Sequence, residues 1–172
     1  STRTCSLDVS AKVKSITMES GYTGTFYFTS ETLTVIGKAD FSTGGSIDAG
    51  TGVLKLTGSQ NFTPKAGAIF PEVVKEGSGT VAIQTNNLTA GDLTVSAGTL
   101  NLGSLLTHTV QNVSGSGALT FSSSTLTALG PTVDFGSMSS VSAGTGTLEF
   151  AGSTKQTFTP KSGTSHPAVV HS

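Results

Sequence analysis

Catalysis needs reactive side chains gathered at one point, and the residues that could supply them are few in this chain. Its single arginine, Arg3, stands beside the amino end, and Asp40, Asp48, Asp92 and Asp134 are kept apart by turn-forming segments. Lyase chemistry, with grouped acids holding calcium and a Lys or Arg removing a proton, would require those acids to converge. His108, His166 and His171 have neither Ser-His-Asp nor His-x-x-x-His spacing. His166 and His171 read as residues of a solvated turn and a loose end, and His108 as a polar interruption of an apolar row, held by local hydrogen bonds. The one cysteine, Cys5, allows no disulfide framework and reads as a small buried residue near the end. Three glycosylation sequons begin at Asn61, Asn87 and Asn112, but such triplets arise readily where Ser and Thr abound, and Phe62 and Val113 within them look core-facing. No catalytic, metal-binding or cofactor-binding set emerges, so the expectation is a protein that is not an enzyme.

The composition describes what has to position any site. Only 11% of the 172 residues are charged and the net charge is −1, which leaves no electrostatic footprint for nucleic acid or an anionic membrane surface. No apolar run reaches the roughly 20 residues of a membrane span. Gly (22 residues) is abundant and Ser and Thr fill roughly a third of the chain, a composition for short strands and many turns. With 35% apolar residues at regular spacing the chain can bury a core, and residues 1–172 read as a single unit. No signal peptide opens the chain, so the sequence reads as a processed protein or a piece of a longer repeat array.

Six segments share a glycine followed by alternating apolar positions: Gly24–Phe28, Gly52–Leu56, Gly79–Ile83, Gly98–Leu102, Gly117–Phe121 and Gly146–Phe150. Alternation with period 2 is the mark of a strand with one buried face. A second strand follows each one, carrying Thr32/Thr34, Thr63, Thr89, Thr107/Thr109, Thr125/Thr127 and Thr157/Thr159. A third, shorter one is suggested by Phe41, Val74, Val95, Val113, Phe135 and Val170. Three strands per turn with like stacked on like predict an all-β fold, a parallel β-solenoid of about six coils, with right-handed winding expected from the handedness of parallel crossovers. Leu54, Leu56, Val81, Ile83, Leu100, Leu102, Leu119, Phe121, Leu148 and Phe150 are then expected to form one buried ladder.

A longer period overlies the coils. Ala49-Gly50-Thr51-Gly52 through Pro71-Glu72-Val73-Val74 returns as Ala143-Gly144-Thr145-Gly146 through Pro167-Ala168-Val169-Val170, a super-repeat of four coils on this reading. Solenoid ends need covering, so further repeats, or a second subunit stacked end to end, are expected beyond His171-Ser172.

The runs Ser20–Phe26, Thr32–Val35 and Gln156–Lys161, with the coil grammar around them, resemble the repeat regions of large secreted bacterial surface proteins, similar to autotransporter passengers and filamentous adhesins. That resemblance implies a cell-surface structural or adhesive role and carries no catalytic residues. Two features are candidates for contact with a partner such as a polysaccharide or another surface polymer. One is the loop at Pro64-Lys65, returning at Pro160-Lys161, which on a four-coil repeat would lie on one side. The other is the Thr-x-Thr series of the second strands, which, stacked in two columns, would look like an ice-binding or crystal-binding face.

Overall fold

The computed structural model describes residues 3–172, and every ordered element in that range is a β-strand, bend or turn. The chain winds repeatedly through three faces. On the first lie β1 (Cys5–Ser6), β4 (Thr25–Tyr27) and β7 (Ser46–Asp48), then a separate sheet of β10 (Ile69–Phe70), β13 (Thr89–Ala90), β16 (Thr107–Val110), β19 (Thr125–Ala128), β22 (Thr147–Phe150) and β24 (Ala168–His171). The second face is one eight-stranded sheet of β2 (Ala11–Val13), β5 (Thr32–Val35), β8 (Val53–Thr57), β11 (Glu72–Glu76), β14 (Leu93–Val95), β17 (Val113–Gly115), β20 (Thr132–Asp134) and β23 (Thr157–Thr159). The third is a seven-stranded sheet of β3 (Ile16–Thr17), β6 (Ala39–Asp40), β9 (Gln60–Thr63), β12 (Thr80–Ile83), β15 (Thr99–Asn101), β18 (Ala118–Thr120) and β21 (Ser140–Ser142). Pairing is parallel throughout, as in β5 on β8 and β8 on β11. This is a parallel β-solenoid of about eight turns, two more than the glycine signals number.

The difference has a physical cause. A glycine followed by alternating apolar residues marks a strand that leaves a tight corner, and every face has such corners. Thus β4 and β22 lie on the first face, β8 on the second, and β12, β15 and β18 on the third. The ten ladder residues are all buried in one core, but as three rows. Leu33, Leu54, Val73, Leu93, Val113 and Val133 stack on the second face. Val81, Leu100, Leu119 and Val141 stack on the third. His108, Leu126, Leu148 and Val169 stack on the first. Each fully buried Leu or Val contributes about 1.5–3 kcal/mol, and this interior holds the coils together in place of any disulfide. On β11 it is Val73 and Lys75 that point inward, and Val74, expected to do so, lies on the outer side in register with Lys55 and Thr94. Cys5, expected to be buried, is exposed on β1.

The longer repeat is real in three dimensions, with a phase that sequence spacing conceals. Strand β8 recurs as β22 and β7 as β21, fourteen strands later, which at three strands per turn is four turns and two thirds. Successive copies therefore face different directions. Thr29 (φ 56°) lies beneath Gly50 (φ 53°) where the first face meets the second, and the Thr51 amide donates to the Thr29 carbonyl at 2.7 Å. Ser122 (φ 55°) lies beneath Gly144 (φ 56°) where the third face meets the first, and the Thr145 amide donates to Ser122 at 2.7 Å. In each pair a Cβ on the glycine would overlap the carbonyl below, so the upper residue has to be glycine.

Aromatic packing repeats with the same phase. Phe41 meets Phe62 at 6.3 Å and 89°, and Phe135 meets Phe158 at 5.4 Å and 89°. So does a polar staple: Gln60 Nε2 donates to the Val35 carbonyl at 2.9 Å, and Gln156 Nε2 to the Ala128 carbonyl at 2.9 Å.

Candidate binding cleft

The ladder of the first face stops between β7 and β10. These strands are neighbours, yet no backbone hydrogen bond joins them, and they belong to separate sheets. Pro64 cannot donate to a ladder and Gly67 (φ 73°) turns the backbone aside, so the segment between β9 and β10 arrives displaced. A cleft of about 540 Å³ results, lined by Ser46–Gly50 below and Lys65–Ile69 above.

Polar and apolar groups alternate around it. Asp48 Oδ1 accepts the Gly50 amide at 3.0 Å, and Lys65 Nζ donates to the Gly44 carbonyl at 2.7 Å. Ser46 Oγ lies 2.7 Å from Thr25 Oγ1. Ile69 is 61% exposed at the mouth of the cleft, while half-buried Ile47 and Ala68 line it from the side packed against the core.

The second copy ends a sheet in the same way, for β21 is the last strand of the third face and residues 160–167 pass it without a ladder. Here Ser142 stands where the first copy has Asp48, and Lys161 where it has Lys65. The Pro64-Lys65 loop joins the third face to the first, whereas Pro160-Lys161 follows β23 on the second. The two loops therefore lie at different corners and not on one side.

The threonine series divides likewise. Thr32, Thr34, Thr157 and Thr159 are on the second face and Thr63 on the third, leaving Thr89, Thr107, Thr109, Thr125 and Thr127 on the first. Those five stack as Thr107 on Thr125 and as Thr89 on Thr109 on Thr127. The second column then meets Glu149, whose carboxylate accepts the Thr127 hydroxyl at 2.7 Å.

Acidic side chains serve the corners. Asp40 Oδ1 accepts the Ser42 amide and hydroxyl at 3.0 and 2.6 Å, and these bonds, with Lys38 at 2.9 Å, hold its carboxyl below the usual range. Asp134 Oδ1 accepts the Gly136 amide at 2.8 Å, and Asp92 Oδ1 accepts from Asn112. Among the described residues no three of His, Cys, Asp and Glu gather as a metal site would need.

Two titratable groups lie in the core. His108 is fully buried under Leu126; the Leu88 amide donates to Nδ1 at 3.0 Å, which places the ring proton on Nε2, donated to the Leu102 carbonyl at 2.7 Å. Burial pushes its pKa below the ordinary value. Lys75 was not singled out by the sequence. It occupies the core row between Leu56 and Val95, and Nζ donates to the carbonyls of Glu76, Gly77 and Ala97 at 3.0, 2.7 and 3.2 Å. Desolvation lowers its pKa from 10.5. A Cβ on Gly98 (φ 66°) would stand 2.7 Å from that ammonium, so the neighbouring turn gives it room by lacking a side chain.

His166 departs from the solvated turn expected of it, because its ring is part of the aromatic cluster, 5.7 Å from Phe158.

No family model, curated protein or solved structure matches this chain. Its class is defined by architecture alone, as a parallel β-solenoid repeat protein.

Proposed function

We propose that this chain is a non-catalytic structural or adhesive module, a stiff spacer in a surface protein of the kind large secreted bacterial repeat proteins resemble. The observation that carries this reading is the recurrence of a whole unit: corner, glutamine staple, aromatic cluster and sheet break all return after fourteen strands. A unit that brings its own core and corners can be added without redesign, which is the logic of repeat arrays. Its partners on this reading are further repeats, or a second copy stacked end to end, and a surface polysaccharide or similar polymer.

Chains with one, two and three added copies of residues 50–143, compared by small-angle scattering, test the spacer role. At about 4.8 Å per turn, length grows by roughly 22 Å for each copy. Constant length would overturn the reading, as would release of unsaturated oligosaccharide in a polysaccharide-degradation screen.

A second reading, binding to ice or another crystalline surface, is favoured only by the Thr107–Thr125 and Thr89–Thr109–Thr127 columns. With Thr127 bonded to Glu149, strong ice activity is not expected. Thermal hysteresis in the parent that is lost in Thr109→Tyr would put this reading first.

A further inference from the structure

We propose that the cleft between β7 and β10 is a binding site for a neutral, hydroxyl-rich saccharide. This deepens the adhesive part of the function proposed above and rests on it.

Backbone N–H and C=O groups require partners, and the outer edge of β7 has none among the described residues because the ladder ends there. Around that edge stand an Asp48 carboxylate with only Oδ1 engaged, a Lys65 ammonium with one of its three donors used, and the Ser46 hydroxyl. Ile47, Ala68 and exposed Ile69 add apolar surface to the same lining. Donors and acceptors next to apolar surface for C–H contact complement a sugar ring, which offers both on adjacent surfaces. With one carboxylate and one ammonium in its lining, the cleft carries no net charge, which favours a neutral sugar over a uronate. An added peptide strand does not fit: it would force β7 and β10 two spacings apart, roughly 9.6 Å, whereas they retain Cα separations within 8 Å. In the second copy the carboxylate is replaced by Ser142, so the site occurs once among the described residues.

The test is amide-resolved NMR titration of the whole chain with cellotetraose, mannotetraose and N-acetylchitotetraose, alongside tetragalacturonate and tetra-alanine. The expected result is saturable shifts with at least one neutral tetramer, confined to residues 46–50 and 65–69. Asp48→Ser weakens that binding at least tenfold and Lys161→Ala leaves it unchanged. Ile69→Ser, at an exposed position, gives a second weakening that does not depend on the Asp48 turn. No shifts with any neutral tetramer, a response to tetragalacturonate or tetra-alanine alone, or full affinity in folded Asp48→Ser and Ile69→Ser overturns the site. Saturable shifts confined to the threonine columns would also overturn it while leaving an adhesive surface in place, and constant length in the added-copy series would remove the spacer and leave the cleft standing.

Discussion

His166 lies over Phe135 with ring centroids 6.2 Å apart and planes inclined by 16°, at the place where Phe70 meets Phe41 at 5.3 Å and 78° in the preceding copy. The imidazole Nε2 donates to the Lys161 carbonyl at 3.0 Å, but Nδ1 is buried without a partner. His166→Phe removes that orphan and restores an aromatic edge, while the Lys161 carbonyl keeps the Thr164 hydroxyl. The variant is expected to gain about 1–2 kcal/mol in urea unfolding.

A pH dependence follows from His108. Its folded pKa lies below the ordinary 6.5, so the unfolded chain takes up a proton first. The stability concerned is present above about pH 6.5 and is lost as pH falls from there towards the folded value. His108→Leu leaves the Leu88 amide unpaired and costs about 1–3 kcal/mol at pH 8. Between pH 7 and 5 the variant keeps more of its stability than the parent, so the gap narrows. Urea midpoints across that range check both parts.

Lys75 acts in the same direction at alkaline pH. With its folded pKa lowered from 10.5, the unfolded chain holds the proton over a range where the folded one releases it, so stability rises with pH towards about 10.5. Lys75→Met removes the slope along with three hydrogen bonds. The parent is then expected to gain on the variant as pH rises towards 10.5, as read by thermal melts of the two side by side.

Period-2 alternation was legible in the sequence, and so was the burial of residues such as Leu100 and Leu119. The face on which a strand lies was not, because alternation reports inside from outside and carries no angle around the axis. Corner lengths set that angle, and they vary from turn to turn. Lys75 was hidden by its type, since a lysine reads as surface, although it sits two residues beyond inward Val73. His166 was legible after all: aligning Pro64–Pro71 with Pro160–Pro167 sets it opposite Phe70. Half of the cleft was visible in the repeated Pro-Lys loop, but the sheet break was not, because Ser46-Ile47-Asp48 alternates like any paired strand.

Register between faces separates a solenoid of about eight turns from six stacked Gly-x-apolar rows. In a Cys5→Ser background, three cysteine pairs are introduced and treated with dibromobimane, which fluoresces on bridging two close thiols. Thr34 and Lys55 are register partners on the second face and Thr109 and Thr127 on the first, each pair about 4.8 Å apart along the axis. Thr34 and Thr63 stand on different faces, although six stacked rows would make them neighbours. Bridging of Thr34→Cys/Lys55→Cys and Thr109→Cys/Thr127→Cys, with none in Thr34→Cys/Thr63→Cys, is the result expected. Bridging in the last pair with none in Thr34→Cys/Lys55→Cys would contradict the three-faced solenoid.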